Sequence, residues 1–226
     1  MGSLVTAVFL QVRLDSSRLP RKALADLSGR TVTQRCFDAL DGVTADLRVL
    51  VTEPASAPEL DPLARAAGWE VFVGSKDDVL DRFVRAAQAF SVTTIIRATG
   101  DNPLVSARLA DLLAERHRAG GAHYSGFVGG PVGTGVEILD TAALIRAWSS
   151  WPDAYQREHV GPALYQSDRF VIQRPEVPEP CRAPGARVTI DTAEDLSYVR
   201  SLWNAVYQGR PPEPEDYLPW LNRNPR

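Results

Sequence analysis

Between Leu10 and Leu24 the sequence gathers Arg13, Arg18, Arg21 and Lys22 with the hydroxyls of Ser16 and Ser17. Guanidinium and ammonium groups make charge-assisted hydrogen bonds to phosphate oxygens, and loop N–H groups add to them. A di- or triphosphate suits such a loop. No glycine-rich phosphate cradle is present, so a solvated surface loop is an equal reading of these residues alone. Two aspartates come later. Asp101 follows Gly100 at the end of an apolar run and precedes Pro103 by two residues. Mg²⁺ takes one or two carboxylates and completes its octahedron with phosphate oxygens and water, which makes Asp101 a candidate ligand. As a turn or helix-cap residue it would be equally at home. Asp191 likewise follows an apolar run, Ala186–Ile190. His159 lies among the charged and aromatic residues of Tyr155–Leu164 and is read first as a hydrogen-bonded structural group, catalysis being the lesser reading.

Such groups need strands to carry them. Leu4–Leu10, Leu47–Thr52, Trp69–Val73 and Val92–Thr99 are short, apolar and rich in branched residues, the pattern of buried strands in a parallel sheet. Helical patterns at Thr31–Leu40, Pro58–Ala67 and Ala107–Ala119, and one containing Val79, Leu80, Phe83 and Ala87, alternate with them and predict an α/β fold. Ligands of open α/β sheets bind beyond the carboxyl ends of central strands, where the cationic loop and Asp101 fall. Ser75 or Asp77 is the expected cap of the third helix, with Asp81 and Arg82 off its apolar face, either as a surface ion pair, the preferred reading, or with Arg82 near the ligand. Gly126–Gly135 reads as a flexible lid or turn. Val136–Leu139, Arg169–Gln173 and Ala186–Ile190 predict further strands, and Thr141–Ser149 a helix. Thr192 and Asp195 form a capping box for a last helix, Ala193–Tyr207. His117 is expected to be exposed on a helix and His123 to lie beside a strand. One domain over 1–208 is the economical division. The Pro-rich tail over 209–226 carries Tyr217, Leu218, Trp220 and Leu221, too apolar for water, and is expected to dock on the domain or on a second subunit.

With 226 residues, 44% of them hydrophobic, the chain can build one large layered core. Its net charge of −3 argues against a general nucleic-acid or membrane binder, so any basic site must be local. Cys36 and Cys181 are too few for a disulfide framework or a metal centre and are expected to be free thiols. No long apolar span or signal peptide is visible, and a soluble cytoplasmic protein is expected.

Six segments, in order, resemble the cytidylyltransferases that activate acidic sugars. The nearest branch is the spore coat polysaccharide biosynthesis protein F group, related to CMP-sialic acid and CMP-Kdo synthetases. The segments are Gln11–Lys22, Gly74–Arg82, Arg97–Leu104, Gly133–Glu137, Arg157–Val160 and Ile190–Leu196. The resemblance implies a three-layer α/β/α sandwich of the nucleotide-diphospho-sugar transferase type, with a mostly parallel sheet and often dimeric. It implies transfer of CMP from CTP to a sugar or sugar-acid acceptor, with Mg²⁺ and release of pyrophosphate, in glycan or polysaccharide biosynthesis. By matched position, Arg13, Arg18 and Lys22 would hold the triphosphate. Leu10 and Gln11 would approach the base, with Ser17, Arg82 and Thr99 on the nucleotide side. Asp101 and Asp191 would share the metal, and Glu137, Arg157 and His159 would face the acceptor. Three positions depart from the family pattern: Arg21 and Asp15 stand where glycine is usual, and Gly135 where an acceptor-side aspartate is usual. The alternatives are a nucleotidyltransferase using another base and a non-catalytic nucleotide-binding or assembly protein on the same fold. A glycosyltransferase would need a D-x-D motif, which Asp101-Asn-Pro does not supply.

Overall fold

The structure is a computed structural model that describes residues 4–226. In chain order the elements are β1 (Thr6–Gln11), α1 (Val32–Asp41), β2 (Leu47–Thr52), α2 (Ala57–Ala66), β3 (Glu70–Val73), α3 (Val79–Ala89), β4 (Thr94–Thr99) and α4 (Ala107–Ala119). Then follow β5 (Tyr124–Gly126), β6 (Glu137–Asp140), α5 (Thr141–Ser149), α6 (Ala154–His159), α7 (Pro162–Tyr165), β7 (Ile172–Gln173), α8 (Ala193–Val206) and α9 (Pro214–Arg223). The sheet order is β3-β2-β1-β4-β6-β5-β7. Pairs β1–β2, β2–β3, β1–β4 and β5–β7 are parallel, whereas β6 runs antiparallel to β4 and β5.

Strand alternation divides the core into two layers. Val8, Leu10, Leu50, Ile96 and Ala98 point to one face, where α1, α2, α4, α8 and α9 bring Phe37, Leu60, Leu113, Trp203 and Tyr217. Ala7, Phe9, Val49, Val51 and Ile95 point to the other, covered by Leu80 and Phe83 of α3, Leu144 of α5 and Leu164 of α7. The result is a helix–sheet–helix sandwich. From β1 the chain builds β2 and β3 to one side and then returns to lay β4 on the other. The strand order therefore reverses between β1 and β4, which opens a crevice at their carboxyl ends.

Side-chain caps start most helices. Thr31 with Gln34, Asp153 with Gln156, and Thr192 with Asp195 form capping boxes. The cap of α3 is Asp78, whose carboxylate accepts from the Asp81 N–H, whereas Ser75 accepts from the Asp78 N–H one turn earlier. The expectation of Ser75 or Asp77 was one turn or one residue early.

Other expectations are corrected. Ala186–Ile190 is extended but not a strand of the sheet; its N–H groups at Val188 and Ile190 donate to Val132 and Asp101 carbonyls. Gly126–Gly135 is no free lid, because Val128 and Val132 make bridges to Glu176 and Arg187. His117 is buried, with Nδ1 2.8 Å from Ser125 Oγ. It lies on the flank of α4 that covers β5, a direction that polarity cannot reveal.

The tail packs back as α9, with Tyr217, Leu218 and Leu221 in the first core layer. Ser106, the cap of α4, donates to Glu213, and Arg226 pairs with Asp195 at 2.7 Å. Cys36 and Cys181 are buried and unpaired with each other. Among the described residues no helix is long and apolar enough to cross a membrane.

Candidate active site

Beyond the carboxyl ends of β1 and β4 lies a cavity of about 490 Å³, within the size range of small-molecule sites. Its walls come from three sources: the cationic loop after β1, the Thr99–Asp101 turn after β4, and Glu158 and His159 at the end of α6, with Asp191 closing it. The two central strands meet closely here. The Gly100 N–H donates to the Gln11 carbonyl, and a Cβ on Gly100 would lie 2.8 Å from the Val12 side chain. Glycine is required there by that approach.

Asp101 and Asp191 come together although ninety residues separate them. The Ile190 N–H donates to the Asp101 carbonyl at 2.9 Å, which ties the two backbones. Lys22 Nζ lies between the carboxylates, 3.1 Å from Asp101 Oδ2 and 2.9 Å from Asp191 Oδ1. Arg18 also reaches Asp191 Oδ1, at 2.9 Å, and Arg187 reaches Asp191 Oδ2 at 2.5 Å. Burial alone would raise the Asp191 carboxyl, but the Lys22 ammonium, aided by Arg187 and Arg18, holds it below the usual carboxylate range. Cys36 is buried near Asp101; burial, and then the Asp101 charge, push its thiol up, so it stays protonated.

Arg13 lines the cavity and is 3.6 Å from Glu158, while Ser17 lines the same loop wall. Leu10 is fully buried in the core and does not line the cavity, whereas Gln11, the next residue, does. The two departures within the loop are accommodated by partners. Asp15 pairs with Lys76 at 2.9 Å, which neutralises its charge. Arg21 adopts φ 56°, a left-handed conformation that favours glycine, and its Nη1 donates to Glu59 at 2.9 Å, away from the cavity.

Arg82 is not half of a surface pair. It is fully buried, its Nη1 donates to the Ser75 carbonyl, and Asp81 pairs with Arg85 instead. Its Nε and Nη2 have no partner. Burial, with Arg13 adding repulsion, pushes the guanidinium down to about 10. The stem fills the space that Gly74 leaves open, where a Cβ would meet Arg82 Cγ at 2.8 Å.

A second cavity of about 440 Å³ shares Arg97 and Thr99 with the first and is lined by Asn102, Tyr124, Glu137 and the Gly126–Gly133 segment. Register places Arg97 opposite Glu137 on the antiparallel pair β4–β6, where the two ion-pair. Tyr124 donates to Glu137 at 2.8 Å, and Arg97 donates to Gln11 at 3.0 Å, which links the cavities. Arg97 had no assigned role in the sequence; its pairing with Glu137 needs strand register to be seen. Gly135 lines this cavity too, and nothing lies within 4 Å of a Cβ placed on it.

Arg157 points away from both cavities. It pairs with Asp78, the cap of α3, and donates to the Pro152 carbonyl, so it clamps α6 against α3. His159 does reach the first cavity and packs on Tyr155 with ring centroids 4.4 Å apart. The next residue, Val160, has φ 66° with its side chain fully buried. A β-branched residue in that region is strained and persists only where packing demands it. Here the turn presents Glu158 and His159 to the cavity while anchoring the chain in the core.

The donor set fits a divalent cation of the Mg²⁺ kind. Among the described residues no three His, Cys, Asp or Glu side chains gather at one point. Two carboxylates do converge on a single cationic atom, Lys22 Nζ. A partial site of this kind suits an ion whose remaining ligands are phosphate oxygens and water.

The family model described as Cytidylyltransferase matches residues 7–216. The chain is 34% identical to the spore coat polysaccharide biosynthesis protein SpsF of Bacillus subtilis, over 96% of this chain and 93% of that protein. Among solved structures, a cytidylyltransferase from Leptospira borgpetersenii superposes with a TM-score of 0.90 at 24% identity, covering 99% of this chain and 96% of that one. A CMP:2-keto-3-deoxy-manno-octonic acid synthetase complexed with CTP superposes with a TM-score of 0.71 at 18% identity, covering 88% of this chain and 98% of that one.

Proposed function

The chain belongs to the cytidylyltransferase family and is a nucleotidyltransferase, and we propose that it transfers CMP from CTP to a hydroxyl of a sugar or sugar-acid acceptor, with Mg²⁺ and release of pyrophosphate. The observation that carries this reading is the meeting of Asp101, Asp191, Lys22 and Arg18 in one cavity at the β1–β4 crevice.

In this reading CTP lies in the first cavity. Its base approaches the Leu10–Gln11 backbone and its triphosphate lies along Arg13, Ser17, Arg18 and Lys22, with Thr99 at the ribose side. Arg82 is fully buried and does not line this cavity, so it acts on the nucleotide only through its neighbours. The acceptor occupies the second cavity, where Glu137, fixed by Arg97 and Tyr124, accepts from its hydroxyls. His159 lines the first cavity, and Arg157 holds the α6 segment that carries it. The acceptor oxygen forms a bond to the α-phosphorus, the bond to the pyrophosphate oxygen breaks and that oxygen keeps the electron pair, and the proton of the acceptor hydroxyl passes to water. Lys22, Arg18 and Arg13 neutralise charge that grows on the departing pyrophosphate, which is the main electrostatic contribution expected of a phosphoryl-type transfer. Asp101 and Asp191 would hold a divalent cation, which when bound would supply charge neutralisation and orientation of the reacting oxygens. Binding both substrates in linked cavities makes the attack effectively unimolecular. The role in polysaccharide biosynthesis rests on the likeness to SpsF.

The test is pyrophosphate release with CTP, Mg²⁺ and a panel of sugar acids, sugar phosphates and neutral sugars, with ATP, GTP and UTP as competitors. Release with CTP and at least one acceptor, and a CMP conjugate seen by mass, is the expected result. Tight nucleotide binding without release for any acceptor would instead favour a binding protein on the same fold.

A further inference from the structure

The place between Asp101 and Asp191 is held by the protein's own cation. Lys22 Nζ bridges the two carboxylates at 3.1 and 2.9 Å, with its side chain 16% exposed and that of Asp191 11%. Both oxygens of Asp191 are taken, Oδ1 by Lys22 and Arg18 and Oδ2 by Arg187. Two negative groups thus face three positive ones, and at such distances in a partly buried site the balance opposes entry of a bare divalent cation.

We propose that Lys22 is a resident counter-ion that keeps divalent metal out of the Asp101–Asp191 pair until a nucleoside triphosphate draws its ammonium away, so that metal is taken up only with or after the nucleotide. The inference rests on the reading of Asp101 and Asp191 as the metal carboxylates. The triphosphate supplies what the exchange needs: negative oxygens to receive Lys22, and net charge that turns the site from repulsive to attractive toward a dication. The movement required is small. Lys22 opens a short 3-10 turn, Lys22–Leu24, whose backbone is held by Leu19 and Arg21 carbonyls. Only its flexible four-carbon stem must swing, toward Ser17 and Arg18 on the same cavity wall. The carboxylates stay poised meanwhile, because the bond from Ile190 N–H to the Asp101 carbonyl fixes one relative to the other. An arginine at this position would be a poorer exchange group, since its planar fork would grip the carboxylates more firmly.

The experiment uses Mn²⁺ as probe and reads the free-ion electron paramagnetic resonance signal, so it needs no turnover. Wild-type protein with Mn²⁺ alone should deplete the signal little, whereas Lys22→Met should bind Mn²⁺ alone at least about ten-fold more tightly, a gain of about 1.4 kcal/mol. Adding Asp101→Asn to that variant should erase the gain. Lys22→Gln, whose amide still donates to the carboxylates, repeats the measurement should the methionine variant fail to fold by circular dichroism. If wild type binds Mn²⁺ alone as tightly as the folded Lys22 variant does, the proposal is overturned. A separate arm tests the reading beneath it: protein plus Mn²⁺ and CTP, passed through a desalting column. Mn²⁺ retained equally by wild type and Asp101→Asn would remove the metal-site assignment, whereas loss in Asp101→Asn with no gain in the Lys22 variants would remove only the counter-ion role.

Discussion

Asp191 takes three cations where Asp101 takes one, and this asymmetry separates the effects of removing them. Asp101→Asn and Asp191→Asn are each expected to lower Mg²⁺-dependent pyrophosphate release by roughly a hundred-fold or more, the scale of losing one preorganised charge in an active site. Only Asp191→Asn should also lower stability near neutral pH, because it removes the charge that Arg18 and Arg187 share and leaves Lys22 with Asp101 alone. The sign with pH follows from the depressed carboxyl. Its stabilisation is present above the ordinary value of 3.8 and is lost as pH falls through the lower folded-state value. Urea midpoints of wild type and Asp191→Asn should therefore converge in strong acid and diverge toward neutrality. A constant difference at all pH values would show that the carboxylate charge is not what stabilises the cluster. Both aspartates were legible in the sequence as acids at the ends of apolar runs. The surface-pair reading of Arg82 fails, because an arginine beside an aspartate looks like such a pair until the Gly74 backbone is seen to leave room for its stem.

At the scale of elements, helix α4 carries a second titratable dependence. Burial pushes His117 down to about 4, and its neutral ring pairs with Ser125 on β5. The unfolded chain binds a proton near 6.5 that the folded one refuses until about 4, so stability is full above 6.5 and declines as pH falls through that window. The whole decline is at most about 3 kcal/mol. Chemical denaturation across this window should show the slope in wild type and a clearly reduced slope in His117→Gln; an unchanged slope would assign it to other groups. Most elements could be read from sequence because apolar period and caps agree, as at Thr31, Thr192 and Ala107–Ala119. Where they could not, the missing information was a partner. Ala186–Ile190 has the composition of a strand, yet its N–H groups go to the loop carbonyls of Val132 and Asp101. That detour, and not a strand end, delivers Asp191. Val160 gives no sequence sign of its positive φ, because only packing around its buried side chain imposes it.

Across the whole molecule the last helix closes one core layer, and the first layer's stability should depend on it. Tyr217 is fully buried there, and Tyr217→Ala is expected to cost about 3–5 kcal/mol by the measure of large aromatic truncations, read as a lowered urea midpoint. The site lies on the opposite constraint: it is built from loops whose cations are already paired with carboxylates, so ligand binding must exchange partners and not simply fill a hole. Arg18 and Lys22 leave Asp191 for phosphate, and the two carboxylates then need a new counter-charge. CTP alone would leave Asp101 and Asp191 facing a triphosphate and should raise the melting temperature little. Mg²⁺ alone meets the Lys22 barrier and should raise it not at all. Together, at a concentration one hundred times the dissociation constant, they would stabilise the native state by about 2.7 kcal/mol. For a chain of this length that is roughly 5–10 °C. Differential scanning fluorimetry with CTP, Mg²⁺, both and neither measures the four states. An additive response, in which each ligand alone gives its own share of the shift, would mean that the carboxylates and the phosphate loop do not trade charges.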